Sequence, residues 1–177
     1  MKSFGGIIGG WKIYRRKERK TYVPIRSNKP NHFIFSYLWH TFKLMGTEKV
    51  DNKKLITYWI ESSDQDFKTM MDLLQTKHYH WSLFMGHLVI EKLLKALYIR
   101  ITNQFPPMIH DLRRICEKAN IELTQEQIIN LDSITRFNLN ARYDDYKQEF
   151  YKLCTAEFTL KWIEEIKALR KWIKNQL

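Results

Sequence analysis

The stretch Trp81-Ser-Leu-Phe-Met-Gly-His-Leu-Val-Ile-Glu-Lys-Leu-Leu-Lys-Ala-Leu-Tyr98 decides the fold. Its apolar residues stand at Trp81, Phe84, Met85, Leu88, Val89, Leu93, Leu94 and Leu97. Steps of three and four place them on one broad stripe of a helix. No proline interrupts the run, and Gly86 is its only weak helix former. Read from Tyr79 to Ile101, the helix is roughly 34 Å long at ~1.5 Å per residue. That length spans a small helical domain, so this helix is expected to be its central rod.

Polar residues share the same helix. His87, Glu91 and Lys95 follow one another at intervals of four. Glu91 ahead of Lys95 is the favourable order for an i,i+4 pair worth ~0.2–0.5 kcal/mol on an exposed face. With Lys92 they form a strip that either is solvated opposite the core or lines a functional groove or dimer seam.

Working outward, a first helix is expected from about Lys53 to Thr76, with Ile56, Trp59, Ile60, Phe67, Met70, Met71 and Leu74 at helical spacing. Lys77-His78-Tyr79-His80 reads as a polar connection, its histidines as loop residues and not metal ligands. Beyond the central helix, Asn103-Gln-Phe-Pro-Pro107 forbids helix. His110-Asp111-Leu112 then opens a short helix to about Lys118, with Asp111 suited to its positive end. Thr124-Gln-Glu-Gln127 is a capping box starting a fourth helix that carries Ile128, Leu131, Ile134 and Leu139. A last helix runs from about Lys147 or Gln148 to Lys174. Its buried face is marked by Phe150, Leu153, Phe158, Trp162, Ile163, Ile166, Leu169, Trp172 and Ile173. There is no internal repeat and no β-alternation of useful length. The expected class is all-α, an up-and-down bundle of about five helices.

Charge is unevenly spread. The chain of 177 residues has a net charge of +11, but ten of its 30 Lys and Arg and one of its 19 acids fall in residues 1–44. That segment carries +9 and the rest +2, so an argument from basicity belongs to the N-terminal segment alone. The segment is glycine-rich at its start, charged at Arg15–Lys20 and broken by Pro24 and Pro30. Residues 1–48 are therefore expected to be an irregular, basic extension, disordered or outside the native protein, with Met45 a second candidate start. Residues 49–177 form the helical domain. The apolar runs are too short for a membrane span. Cys116 and Cys154 follow no zinc spacing and read as reduced thiols of a cytoplasmic protein. No metal or cofactor is assigned.

Three local patterns share one order: Ile90-Glu91-Lys92-Leu93-Leu94-Lys95-Ala96-Leu97, then His110-Asp111-Leu112, then Arg142-Tyr143-Asp144. From roughly Lys54 onward the chain resembles the HEPN family, named for a nucleotide-binding domain of higher eukaryotes and prokaryotes. The resemblance implies a helical dimer that binds a nucleotide or partner. It also maps an acidic residue of the first helix onto Asp66. Many family members are metal-independent ribonucleases with an Arg-x4–6-His motif, in which histidine moves a proton and arginine holds the phosphate. Here Arg142 stands at the expected place, but positions 147–149 are Lys, Gln and Glu. The one match in the chain, Arg26 with His32, lies in the N-terminal segment across Pro30.

The resemblance thus implies a bundle without that motif. The alternatives are a ribonuclease-like toxin component of a pair with a minimal nucleotidyltransferase, and a purely structural dimer. The candidate ligand site comprises Arg142, Tyr143 and Asp144 with Glu91, Lys92, Lys95 and His110. Arg142 would hold a phosphate in a two-pronged grip and is the best catalytic candidate, though none is assigned; Tyr143 would stack on a base. Asp144 replaces the family's proline, and Arg142 paired with Asp144 or Asp145 would equally close the helix junction. Nucleotide and RNA are the candidate ligands, and Trp162 and Trp172 the candidate dimer face if exposed.

Overall fold

The computed structural model describes the backbone of residues 4–8, 11–16, 19–24, 51–142 and 144–177, and the side chains of 51–141 and 148–177. The chain divides into two compact units, Met1–Lys49 and Val50–Leu177. In the first, β1 (Phe4–Ile8), β2 (Trp11–Arg16) and β3 (Arg19–Pro24) pair antiparallel in that order. The register sets Ile13 opposite Gly5 on one side and Tyr22 on the other. An irregular segment is expected over residues 1–48; the described residues 4–8, 11–16 and 19–24 are instead paired strands.

Every described element of the second unit is helical. These are α1 (Asn52–Gln75), α2 (Tyr79–Thr102), α3 (Leu112–Lys118), α4 (Gln125–Arg142), α5 (Asp144–Leu153) and α6 (Ala156–Lys174). The all-α, up-and-down bundle is as expected. Six helices appear because the expected last helix is two. Thr155 interrupts it as an N-cap, its hydroxyl accepting from the Phe158 amide at 3.2 Å. The Thr124 capping box forms as read: the Gln127 side chain takes the Thr124 amide at 2.9 Å, and Thr124 takes the Gln127 amide at 3.2 Å.

The rod α2 packs against all five other helices. Leu83, Val89, Ile90, Leu93, Leu94 and Leu97 are fully buried, or nearly so. Two hydroxyls seat α1 antiparallel on it: Ser63 donates to the Val89 carbonyl at 3.0 Å, and Ser82 to the Met70 carbonyl at 2.8 Å. At Gly86 a side chain of α6 fills the space that a Cβ would take. A Cβ there would collide with the Ile166 side chain and lie 3.3 Å from Met70 Sδ. Three expected core residues prove exposed: Trp81 at the edge of the stripe, and Leu139 and Leu153 near helix ends. Trp162 and Trp172 are half-buried against the core, Trp162 with its ring 5.3 Å from Phe137, which removes them as an open dimer face.

Candidate functional site

Intervals of four on α2 stack His87, Glu91 and Lys95 on one side of the helix. That side faces inward: His87 is fully buried, Glu91 is 4% exposed and Lys95 1%. The strip is thus neither solvated nor opposite the core. Lys95 Nζ donates to Glu91 Oε1 at 2.6 Å, and His87 Nε2 lies 3.0 Å from Oε2. The Lys95 ammonium also sits 5.3 Å from the ring centre of Trp59 on α1.

A further partner arrives from outside α2. The prolines at 106 and 107 fall in a non-helical connection, and Asp111 caps α3 by accepting the Arg114 amide at 3.0 Å. Met108, Ile109 and His110 lie between the prolines and the cap, and the last of them is His110. Its Nδ1 reaches Glu91, 3.0 Å from Oε2 and 3.2 Å from Oε1, while 54% of the ring remains exposed. Capping and the Glu91 contact are therefore shared between neighbours, Asp111 doing the first and His110 the second.

Burial by itself would raise the Glu91 carboxyl, since it disfavours the charge. Hydrogen bonds from His110 and His87 and the charge of Lys95 outweigh it and hold the group well below its ordinary value. Glu91 is therefore a carboxylate and can only accept. Both imidazoles must donate to it, so neutral His110 carries its proton on Nδ1 and neutral His87 on Nε2. The lone pair of His110 is then on Nε2, toward solvent. That of His87 is on Nδ1, which is buried with no hydrogen-bond partner among the described residues.

The remaining candidates are placed as follows. Lys92 pairs with Asp66 of α1 at 2.5 Å, outside the Glu91 cluster. Arg142 ends α4 and Asp144 begins α5; their side chains and all of Tyr143 lie outside the described residues. His80, expected in a loop, sits in the first turn of α2, buried, its ring 5.1 Å from those of Trp81 and Tyr151. Cys116 and Cys154 are buried and unbridged, and burial pushes both thiols up to about 12. Among the described residues no group of three His, Cys, Asp or Glu could hold a metal ion, and no helix is long and apolar enough to cross a membrane.

Sequence reasoning found Glu91, Lys95 and His110 but missed the burial of the first two and the role of His87. It also missed Asp64, which accepts from Arg170 at 2.7 Å and from Lys174 at 2.7 Å, joining α1 to α6.

The comparisons with known proteins agree with this architecture. A family model described as HEPN domain matches residues 56–176. The solved structure of TT1696 from Thermus thermophilus superposes with a TM-score of 0.60 at 12% identity, covering 69% of this chain and 98% of that one. At that identity the likeness speaks to the fold alone. None of the curated proteins matches the sequence.

Proposed function

The chain belongs to the HEPN domain family, and on that footing we propose that it is a nucleotide-binding helical bundle without the family's Arg-x4–6-His ribonuclease motif. The observation that carries this reading is the Glu91 cluster. Placing a carboxylate and a lysine in a dry interior is weak as a source of stability. It makes sense where one member of the cluster has work outside, and His110 is that member. Its ring opens to water while its inner nitrogen is anchored at 3.0 Å to Glu91. Lys92 and Lys95 already have internal partners, so among the candidates whose side chains are described the group left to meet a phosphorylated ligand is His110.

The experiment is thermal unfolding of the whole chain with and without millimolar ATP. A ligand that binds only the folded state raises the melting temperature by mass action. The expected result is a rise with ATP in wild type that is absent in His110→Ala, each protein being compared with its own ligand-free melting temperature. No rise with ATP or other nucleotides would exclude the reading.

A dimer belongs to the same proposal. Its face is expected among the exposed apolar side chains of α4 and α6, where Ile129, Leu139 and Leu160 are about half exposed, at 55%, 49% and 52%. Light scattering that returns a monomer mass would remove it. The outward imidazole also supports a second reading, a ribonuclease-like toxin component acting beside a minimal nucleotidyltransferase. RNA cleavage by the purified chain, lost in His110→Ala and Arg142→Ala, would favour that reading over simple binding.

A further inference from the structure

His110 stands apart from the other described histidines. His78 is exposed in the connection before α2. His80 is buried against two aromatic rings, and His87 is enclosed beneath Glu91. His110 alone among these combines an open ring with an inner nitrogen tied to a buried carboxylate. We propose that Glu91 and His110 form a proton-transfer dyad, in which His110 Nε2 takes the proton of a hydroxyl on a bound phosphorylated ligand. The proposal rests on the nucleotide-binding reading and names what that site would do with its ligand.

In this step the ligand's O–H bond breaks and an Nε2–H bond forms. The oxygen keeps the electron pair and becomes a nucleophile. The ring becomes an imidazolium beside Glu91, which stays ionised and balances the new charge. Release of the proton to water restores the neutral ring. Glu91 is a positioning residue: it dictates which ring nitrogen carries the proton and which carries the lone pair. Lys95 and His87 hold the carboxylate from within α2, at 2.6 and 3.0 Å, so that it faces the ring in one orientation.

Two measurements on the whole chain test this. The first is nitrogen-15 NMR of labelled histidine at neutral pH. It is expected to find His110 with its proton on Nδ1 and His87 with its proton on Nε2, opposite tautomers on one carboxylate. His110 found with its proton on Nε2 overturns the dyad, and no variant is needed to see it. The second is acylation by diethyl pyrocarbonate, followed at each histidine by mass spectrometry, with exposed His78 as the internal reference. Labelling at His110 is expected to be several-fold faster than at His78, to slow toward the His78 rate in Glu91→Gln, and to be blocked by ATP. Labelling no faster than at His78 overturns the proposal. A chain that melts higher with ATP while His110 stays unprotected overturns the dyad and leaves the binding reading standing. A chain that neither melts higher nor is protected overturns both.

Discussion

Glu91 on α2 and Asp64 on α1 are both carboxylates gripped by a lysine and by other nitrogen donors, but they sit on opposite sides of the water line. The Asp64 side chain is 43% exposed, and its partners Arg170 and Lys174 are part-buried on α6, with Arg170 also 4.3 Å from the ring centre of Phe67. This is a clasp between two helices made entirely from groups that keep their charge near neutral pH. The Glu91 side chain is 6% exposed, and its partners include two imidazoles, the side chains that switch charge most readily near neutral pH. A clasp at the surface needs no histidine and costs little desolvation. Ionic groups in the interior are costly to place, and an apolar set of equal volume often serves stability as well or better. The contrast separates a device that holds helices together from one that, on the proposed reading, holds a side chain ready.

The strongest way to break this contrast is to empty the dry cluster. Glu91→Ala leaves Lys95 buried without its counter-charge and is expected to cost about 3–5 kcal/mol of stability, read from urea unfolding. A loss under about 1 kcal/mol, the range of a surface pair, would mean that the interior is wetter than described. The next test is to replace charge by shape. The double variant Glu91→Met with Lys95→Met removes both charges together and keeps most of the volume. It is expected to recover the larger part of that loss, because the penalty lies in the stranded charge and not in the missing pair. If the double variant is as unstable as Glu91→Ala, the cluster is structural and the contrast with Asp64 collapses.

The contrast also marks how far the sequence could be read. Helix α2 was legible almost to the residue, Tyr79–Thr102 against an expected Tyr79–Ile101, because eight apolar positions repeat at one period. The capping box at Thr124 was legible because both members are local. Thr155 carried the same kind of local signal, an N-cap threonine with Glu157 in the first turn, but the apolar spacing on either side reads smoothly across it. The Glu91 cluster was half legible. Its α2 members follow from spacing, but their burial depends on Trp59 from α1 and on His110, which lies 19 residues away across two prolines. A helical wheel has no place for residues from another element, so the strip equally suited a solvated face. Asp64 was illegible for the same reason: its partners are 106 and 110 residues distant.

Acid sharpens the contrast, with smaller effects than outright removal. Burial would raise Glu91, but its hydrogen bonds and Lys95 hold it well below its ordinary value of 4.5. A carboxylate depressed in the folded state contributes stability that is complete above its unfolded value and is lost as pH falls through the folded one. Wild type is therefore expected to weaken as pH drops below 4.5, more steeply than the Glu91→Met, Lys95→Met double variant, in urea midpoints taken across the acid range. Asp64 is shifted in the same direction from 3.8: burial opposes the shift, and the hydrogen bonds of Lys174 and Arg170 outweigh it. Its contribution fades only below that lower starting point. At 43% side-chain exposure water screens the clasp, so Asp64→Asn is expected to cost about 1 kcal/mol or less. The cost should shrink further in about 1 M salt, where charges screen over roughly 3 Å, whereas the cost of Glu91→Ala should scarcely move, because salt does not enter a dry interior. Equal salt sensitivity in the two variants would place both carboxylates at the surface and remove the reason for assigning them different roles.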